Sequence, residues 1–176
     1  GMLVTEVKKN MRLATDADFA IIDGSPGIGC PVIASISGVN MVLIVAEPSL
    51  SGISDMKRII ETANKFNVKL AVCVNKYDTN IENYEKIKKL CQNNNINFVG
   101  EIPFDKKAVE AVNNGLTIVD IDCAAGEAAQ KVYKETMKIF QLGDKKWVKI
   151  VMKAAVLAVR NATAEKKHKQ VFWKNH

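Results

Sequence analysis

A chain of 176 residues is long enough for one domain with a substantial core, and 48% hydrophobic with 25% charged residues is a globular composition, not a disordered or fibrous one. No apolar run approaches the roughly 20 residues of a membrane span, and MLVTEVKKNMRLA near the start is too polar for a secretory leader, so a cytoplasmic protein is expected. The net charge of +6 is uneven: residues 145–176 hold nine lysines and arginines against Glu165 alone, which leaves the rest of the chain slightly acidic. Cys30, Cys73, Cys91 and Cys123 show no CxxC spacing and are expected to be reduced thiols.

In chain order, Phe19–Asp23 is the first short, β-branched, nearly all-apolar segment, the pattern of a strand buried on both faces. DGSPGIGCP follows it, a glycine-rich turn ahead of a second strand, Met41–Ala46. Residues 51–66 then place Ile53, Met56, Ile59, Ile60 and Ala63 on one helical side. Strands Lys69–Asn75 and Asn97–Ile102 come next, separated by a helical pattern over Ile81–Cys91. A short helix over Ala108–Val112 and a longer one from about Ala124 to Leu142, closed by Gly143, complete the series. Alternating strands and helices predict an α/β fold, a parallel sheet with helices on both faces. Ligands of such sheets sit beyond the carboxyl ends of the strands. Here the strands run out into Asp23-Gly-Ser-Pro-Gly, Glu47-Pro-Ser, Asn75-Lys-Tyr-Asp and Pro103-Phe-Asp, so carboxylates, an amide and prolines collect at one rim.

In this order the segments DFAIIDGSPGIG, VAEPSLSGISDMKR, VNKYD and IPFDKKAVEAVNNG resemble the MinD/ParA/nitrogenase-iron-protein class of P-loop ATPases over roughly residues 3–140. The nearest resemblance is to MinD-like ATPases with an inserted ferredoxin module. They match the Walker-B and switch-II segment, the strand and helix after it, the base-reading segment and the late loop beside the adenine. No GKGGxGKT-type loop and no ferredoxin cysteine pattern occur in the 176 residues, so the chain looks like the C-terminal half of such an ATPase. Residues 1–142 are assigned to that half-domain and 143–176 to a basic helical tail.

The resemblance implies ATP and Mg²⁺. Asp23 would hold the ion through a water, because a metal bridging phosphates needs a hard oxygen ligand. Gly27 would turn its N–H toward the γ-phosphate, a close approach that a Cβ would hinder. Asn75 would read the adenine edge, Lys76 would lie over the ring or ribose with Asp78 beside it, and Pro103 and Asp105 would flank the base. Local readings stand beside these. Asp23 can cap the next segment, Asp78 or Thr79 can cap a helix with Thr79-x-x-Glu82 as a capping box, and Asp105 can cap the helix after it. Cys30 lies seven residues after Asp23, the spacing at which the nitrogenase iron protein ligates a [4Fe–4S] cluster shared across a dimer. Four thiolates are needed and the other cysteines sit at ordinary buried positions, which argues against a cluster on this chain.

Residues 147–158 carry an apolar stripe (Trp147, Ile150, Val151, Ala154, Leu157 and Ala158) beside Lys146, Lys149, Lys153 and Arg160. An amphipathic helix packed on the domain is the first expectation. A helix on an anionic membrane surface at the inner face of the membrane is the second, and nucleic-acid binding the third and weakest. In the family a further strand lies between those matching Phe19–Asp23 and Met41–Ala46. The gap is expected to close by direct pairing or by a segment of a second copy, giving a homodimer; the missing N-terminal half is the other expected partner. The expected function is that of a nucleotide-binding ATPase domain without turnover of its own. The alternative is a non-catalytic interaction module that keeps the fold.

Overall fold

The computed structural model describes residues 17–24, 29–141, 148–153 and 169–173. Six strands form one sheet: β1 (Ala17–Gly24), β2 (Met41–Ala46), β3 (Lys69–Asn75), β4 (Asn97–Ile102), β5 (Val148–Lys153) and β6 (Lys169–Trp173). Its order is β4-β3-β2-β5-β1-β6 and every pairing is parallel. The helices are α1 (Cys30–Ile36), α2 (Leu50–Asn64), α3 (Ile81–Asn93), α4 (Lys106–Asn113) and α5 (Ala124–Gln141).

Parallel pairing leaves both faces of the sheet to be covered, which explains why all six residues of β2 are buried. Val42, Ile44 and Ala46, with Leu70, Val72 and Val74, point to the face under α1, α2 and α3. There α2 contributes Met56, Ile59, Ile60 and Ala63 at three- and four-residue spacing, and α3 contributes Tyr84, Ile87 and Cys91. Met41, Leu43, Val45, Ala71 and Cys73 point the other way, under Ala125, Ala129, Val132 and Phe140 of α5. Each fully buried Ile, Leu or Val of this kind contributes about 1.5–3 kcal/mol over leaving it in water.

The four expected strands are all present, β2, β3 and β4 with the expected bounds and β1 longer by three residues in all. The tail differs from expectation. Residues 148–153 and 169–173 are strands, not parts of a basic helix, and β5 stands between β1 and β2. Phe19–Gly24 pairs with Val148–Lys153 on one side of β5, and Met41–Ile44 pairs with Ile150–Lys153 on the other. Neither expected closure occurs: β1 and β2 do not pair directly, and the inserted strand comes from the same chain. The physical reason is that two parallel strands held apart by one strand width leave two rows of N–H and C=O groups to satisfy. The β-branched run Val148, Ile150, Val151 can meet that demand as a strand, and a helix cannot. The rest of residues 143–176, including Gly143 and most of the expected helical stripe, lies outside the described residues.

Candidate functional site

Loops leave the carboxyl ends of β2, β3 and β4 along one rim, and they are braced to one another and to the helices beside them. After β2, Pro48 is buried and its carbonyl accepts a hydrogen bond from Nδ2 of Asn83, a buried side chain in the first turn of α3, at 3.3 Å. Lys76, just after β3, meets Glu47, just after β2, with 2.8 Å between Nζ and Oε1. The pair is nearly half exposed and is worth at most about 1 kcal/mol, so its importance is positional: it fixes an ammonium between two strand ends. Asp78 reaches the next loop, its Oδ1 accepting from the Phe104 N–H at 2.8 Å. Asp105 closes the series. It caps α4 by accepting from the Lys107 N–H at 2.9 Å, and its other oxygen accepts from the Ala125 N–H at 3.3 Å at the start of α5.

The backbone carries strain at the same place. Lys76 has φ 53° and ψ 42°, a left-handed conformation that a non-glycine residue adopts at a cost and that concentrates at binding sites. A short 3₁₀ turn, Tyr77–Thr79, follows, with the Thr79 hydroxyl donating to the Lys76 carbonyl at 2.8 Å. That turn moves the start of α3, so the expected cap at Asp78 or Thr79 is replaced by Asn80, whose side chain accepts from the Asn83 N–H at 2.9 Å. Glu82 forms no capping box. It pairs with Lys86 at 2.7 Å, and the hydrogen bond from that lysine holds its carboxyl below the usual value.

Asp23 is exposed at the penultimate position of β1, and Asn75 is half buried at the end of β3. Three strand positions separate β1 from β3 because β5 and β2 intervene. At the usual strand spacing that is about 14 Å, and Pro103, beyond β4, lies about 19 Å from the β1 line. Asp23 therefore belongs to one end of the rim, and Asn75, Lys76, Asp78, Pro103 and Asp105 to the other. The structure brings the second group together and leaves the aspartate apart, an arrangement suited to an elongated ligand. Gly27 lies outside the described residues. A hard carboxylate oxygen at a strand end suits Mg²⁺, so Asp23 fits the ion that the sequence implies. Among the described residues no group of three or more His, Cys, Asp or Glu side chains could hold a metal by itself.

Three contributors escaped the sequence reading as site residues. Glu47 stood out only as a residue after a strand, and its pairing with Lys76 across 29 positions has no local signal. Asn83 read as one polar residue of a helix. Gly52 lies where α2 passes the rim: a Cβ there would meet the Glu47 carbonyl oxygen at 2.4 Å, so only glycine lets the helix approach the loop it helps to shape.

The cysteines divide. Cys73 and Cys91 are buried, and loss of water pushes their thiols up to about 12 and about 11. Cys123 is buried at the foot of α5, its sulfur accepting from the Gly126 N–H at 3.3 Å. Cys30, the first residue of α1, is exposed.

Comparison with known proteins gives this rim its context. The family described as ParA: NUBPL iron-transfer P-loop NTPase matches residues 3–140. An uncharacterized protein of Methanocaldococcus jannaschii is 30% identical over 135 residues, 77% of this chain and 45% of the relative. An iron-sulfur cluster carrier protein of the same organism is 26% identical over 136 residues, 70% of this chain and 47% of its own length. The septum site-determining protein MinD of Helicobacter pylori is 25% identical over 140 residues, 71% of this chain and 51% of the relative. The chain thus spans about half the length of the curated relatives it matches. A family match over most of the chain, on an all-parallel sheet with its polar residues at the carboxyl rim, establishes that the chain belongs to the ParA/NUBPL family of P-loop NTPases.

Proposed function

We propose that the chain is a nucleotide-binding portion of a ParA-type ATPase, with the adenine end of its site built by Asn75, Lys76, Asp78, Pro103 and Asp105 and the Mg²⁺ end by Asp23, with Gly27 beside it. The observation that carries this is the cross-braced rim, where the Glu47–Lys76 pair and the Asp78–Phe104 hydrogen bond hold three loops around Asn75. Asp78 and Asp105 act as struts, since their carboxylates are occupied by backbone N–H groups. Asn75 remains for the ligand, an amide that can donate to and accept from a base edge, while Lys76, held by Glu47, keeps a cation near the sugar or phosphates. Bound Mg²⁺ would supply charge neutralisation of the phosphates.

ATP turnover by this chain alone is not expected, because no lysine-bearing phosphate loop occurs in its sequence and phosphoryl transfer depends on positioning and charge stabilisation. A complementary ATPase half or a second copy would complete the site. The iron-sulfur carrier relatives and the exposed Cys30 support a second reading, in which two copies contribute to holding a cluster as cargo. One exposed thiol per chain falls short of the four that a cluster needs, so the nucleotide reading comes first. If the nucleotide reading fails, the fold serves as a non-catalytic interaction module.

Calorimetry with ATP and with adenosine tests the proposal. With base contacts and few phosphate contacts, both should bind in roughly the millimolar range, and Asn75→Ala should abolish both. Tight ATP binding unaffected by Asn75→Ala would overturn it, and magnesium-dependent hydrolysis that disappears in Asp23→Ala would overturn the expectation that the chain does not turn ATP over alone.

A further inference from the structure

We infer that Glu47 reads the sugar of the bound nucleotide, its carboxylate accepting hydrogen bonds from the ribose hydroxyls, so that the site prefers a ribonucleoside to its dideoxy form. This rests on the nucleotide reading of the rim and adds the sugar to it. Strand order supplies the position. Asn75 ends β3 and Pro103 follows β4, Asp23 lies at the end of β1, and β2 and β5 stand between the two groups. In any nucleotide the sugar joins the base to the phosphates, so it falls at the strand end next to the base. That strand is β2, about 5 Å from β3 and about 10 Å from β1 at the usual spacing. The first residue beyond it is Glu47.

The chemistry of the side chain fits this place. An ionised carboxylate only accepts hydrogen bonds, and the adjacent hydroxyls of a ribose are two donors. Oε1 of Glu47 is taken by Nζ of Lys76 at 2.8 Å, while Oε2 has no hydrogen-bond partner among the described residues and the side chain is nearly half exposed. Lys76 also balances the charge, so that a carboxylate can stand beside the phosphates with little repulsion.

An ordinary surface ion pair could show the same contacts, but Glu47 is held as such pairs are not. The first turn of α2 passes so close to its carbonyl that a Cβ at Gly52 would clash with the oxygen. That carbonyl also accepts from the Ser49 N–H at 2.8 Å, and the next one, of Pro48, accepts from the buried Asn83. Its ion-pair partner Lys76 is itself set by a left-handed backbone at φ 53°. A half-exposed carboxylate on a base fixed from three sides is what discrimination between two sugars requires.

The test uses nucleosides, which carry no phosphate and so report on the sugar whatever Lys76 does. In amide NMR titrations of the full chain, adenosine should bind about tenfold tighter than 2′,3′-dideoxyadenosine, the difference that one hydrogen bond to a charged group makes at a half-exposed site. Glu47→Ala should bring the two nucleosides to equal affinity, and Glu47→Gln, whose amide oxygen still accepts, should restore part of the preference. If Glu47 only braces the loops, Glu47→Ala will weaken both nucleosides together and leave their ratio at the parent value, which overturns the inference. Equal binding of the two nucleosides by the parent chain, with shifts at Asn75, also overturns it and leaves the nucleotide reading standing. Absence of shifts at Asn75 and Phe104 with either nucleoside removes that reading, and the inference with it.

Discussion

Cys30 and Cys73 show how little residue type says without surroundings. Both are free cysteines in one chain, one exposed at a helix start and the other sealed between sheet and α5. The thiolate is the reactive species, and burial keeps the Cys73 and Cys91 thiols protonated well past neutral pH. Alkylation of the native protein at pH 8 should therefore modify Cys30 alone, with the other three reacting only on unfolding; mass spectrometry of the labelled peptides checks this. Glu82 gives a prediction with a sign. Its folded pKa is lowered by the hydrogen bond from Lys86, so its contribution to stability is present above the ordinary value of 4.5 and lost as pH falls through the lowered one. Melting temperatures recorded from neutral to acid pH should fall less steeply in Glu82→Gln than in the parent, while a steeper fall would contradict the pairing.

At the scale of elements, the caps separate residues that build the rim from residues that await a ligand. Asp105 serves two helices at once, and Asp105→Ala strands an N–H at the start of each. The variant should lose about 1–2 kcal/mol in denaturant unfolding, the upper range for a single cap. Asp105→Asn should recover much of it, because the amide oxygen still accepts. Strands β2, β3 and β4 were legible in the sequence because a two-face-buried strand leaves an uninterrupted apolar run. Residues 147–158 were not legible. Val148, Ile150 and Met152 satisfy a two-residue period, while Trp147, Ile150, Val151 and Ala154 satisfy a helical one. The choice falls to tertiary demand, since only a strand can satisfy the facing edges of β1 and β2. The cap of α3 lies one or two residues beyond the expected Asp78 or Thr79 for a similar reason: the left-handed turn at Lys76, not the Thr79-x-x-Glu82 pattern, decides where that helix begins.

For the whole molecule, the order of the strands sets the geometry of the rim. With β5 in place, the aspartate of β1 and the asparagine of β3 stand three strand positions apart, so a ligand touching both must lie along the sheet edge. The positions of Asp23, Asn75 and Pro103 were legible because a buried apolar strand runs out where a carboxylate, an amide or a proline begins. The braces between them were not, since Asn83 to Pro48 and Lys76 to Glu47 join residues 35 and 29 positions apart. The most direct test of the central claim is an amide NMR titration of the full chain with ATP and Mg²⁺. Shifts are expected to concentrate at Asp23–Gly24 and at Asn75, Lys76, Phe104 and Asp105, with adenosine reproducing only the second group. Shifts confined to other surfaces, or none at millimolar nucleotide, would contradict that claim.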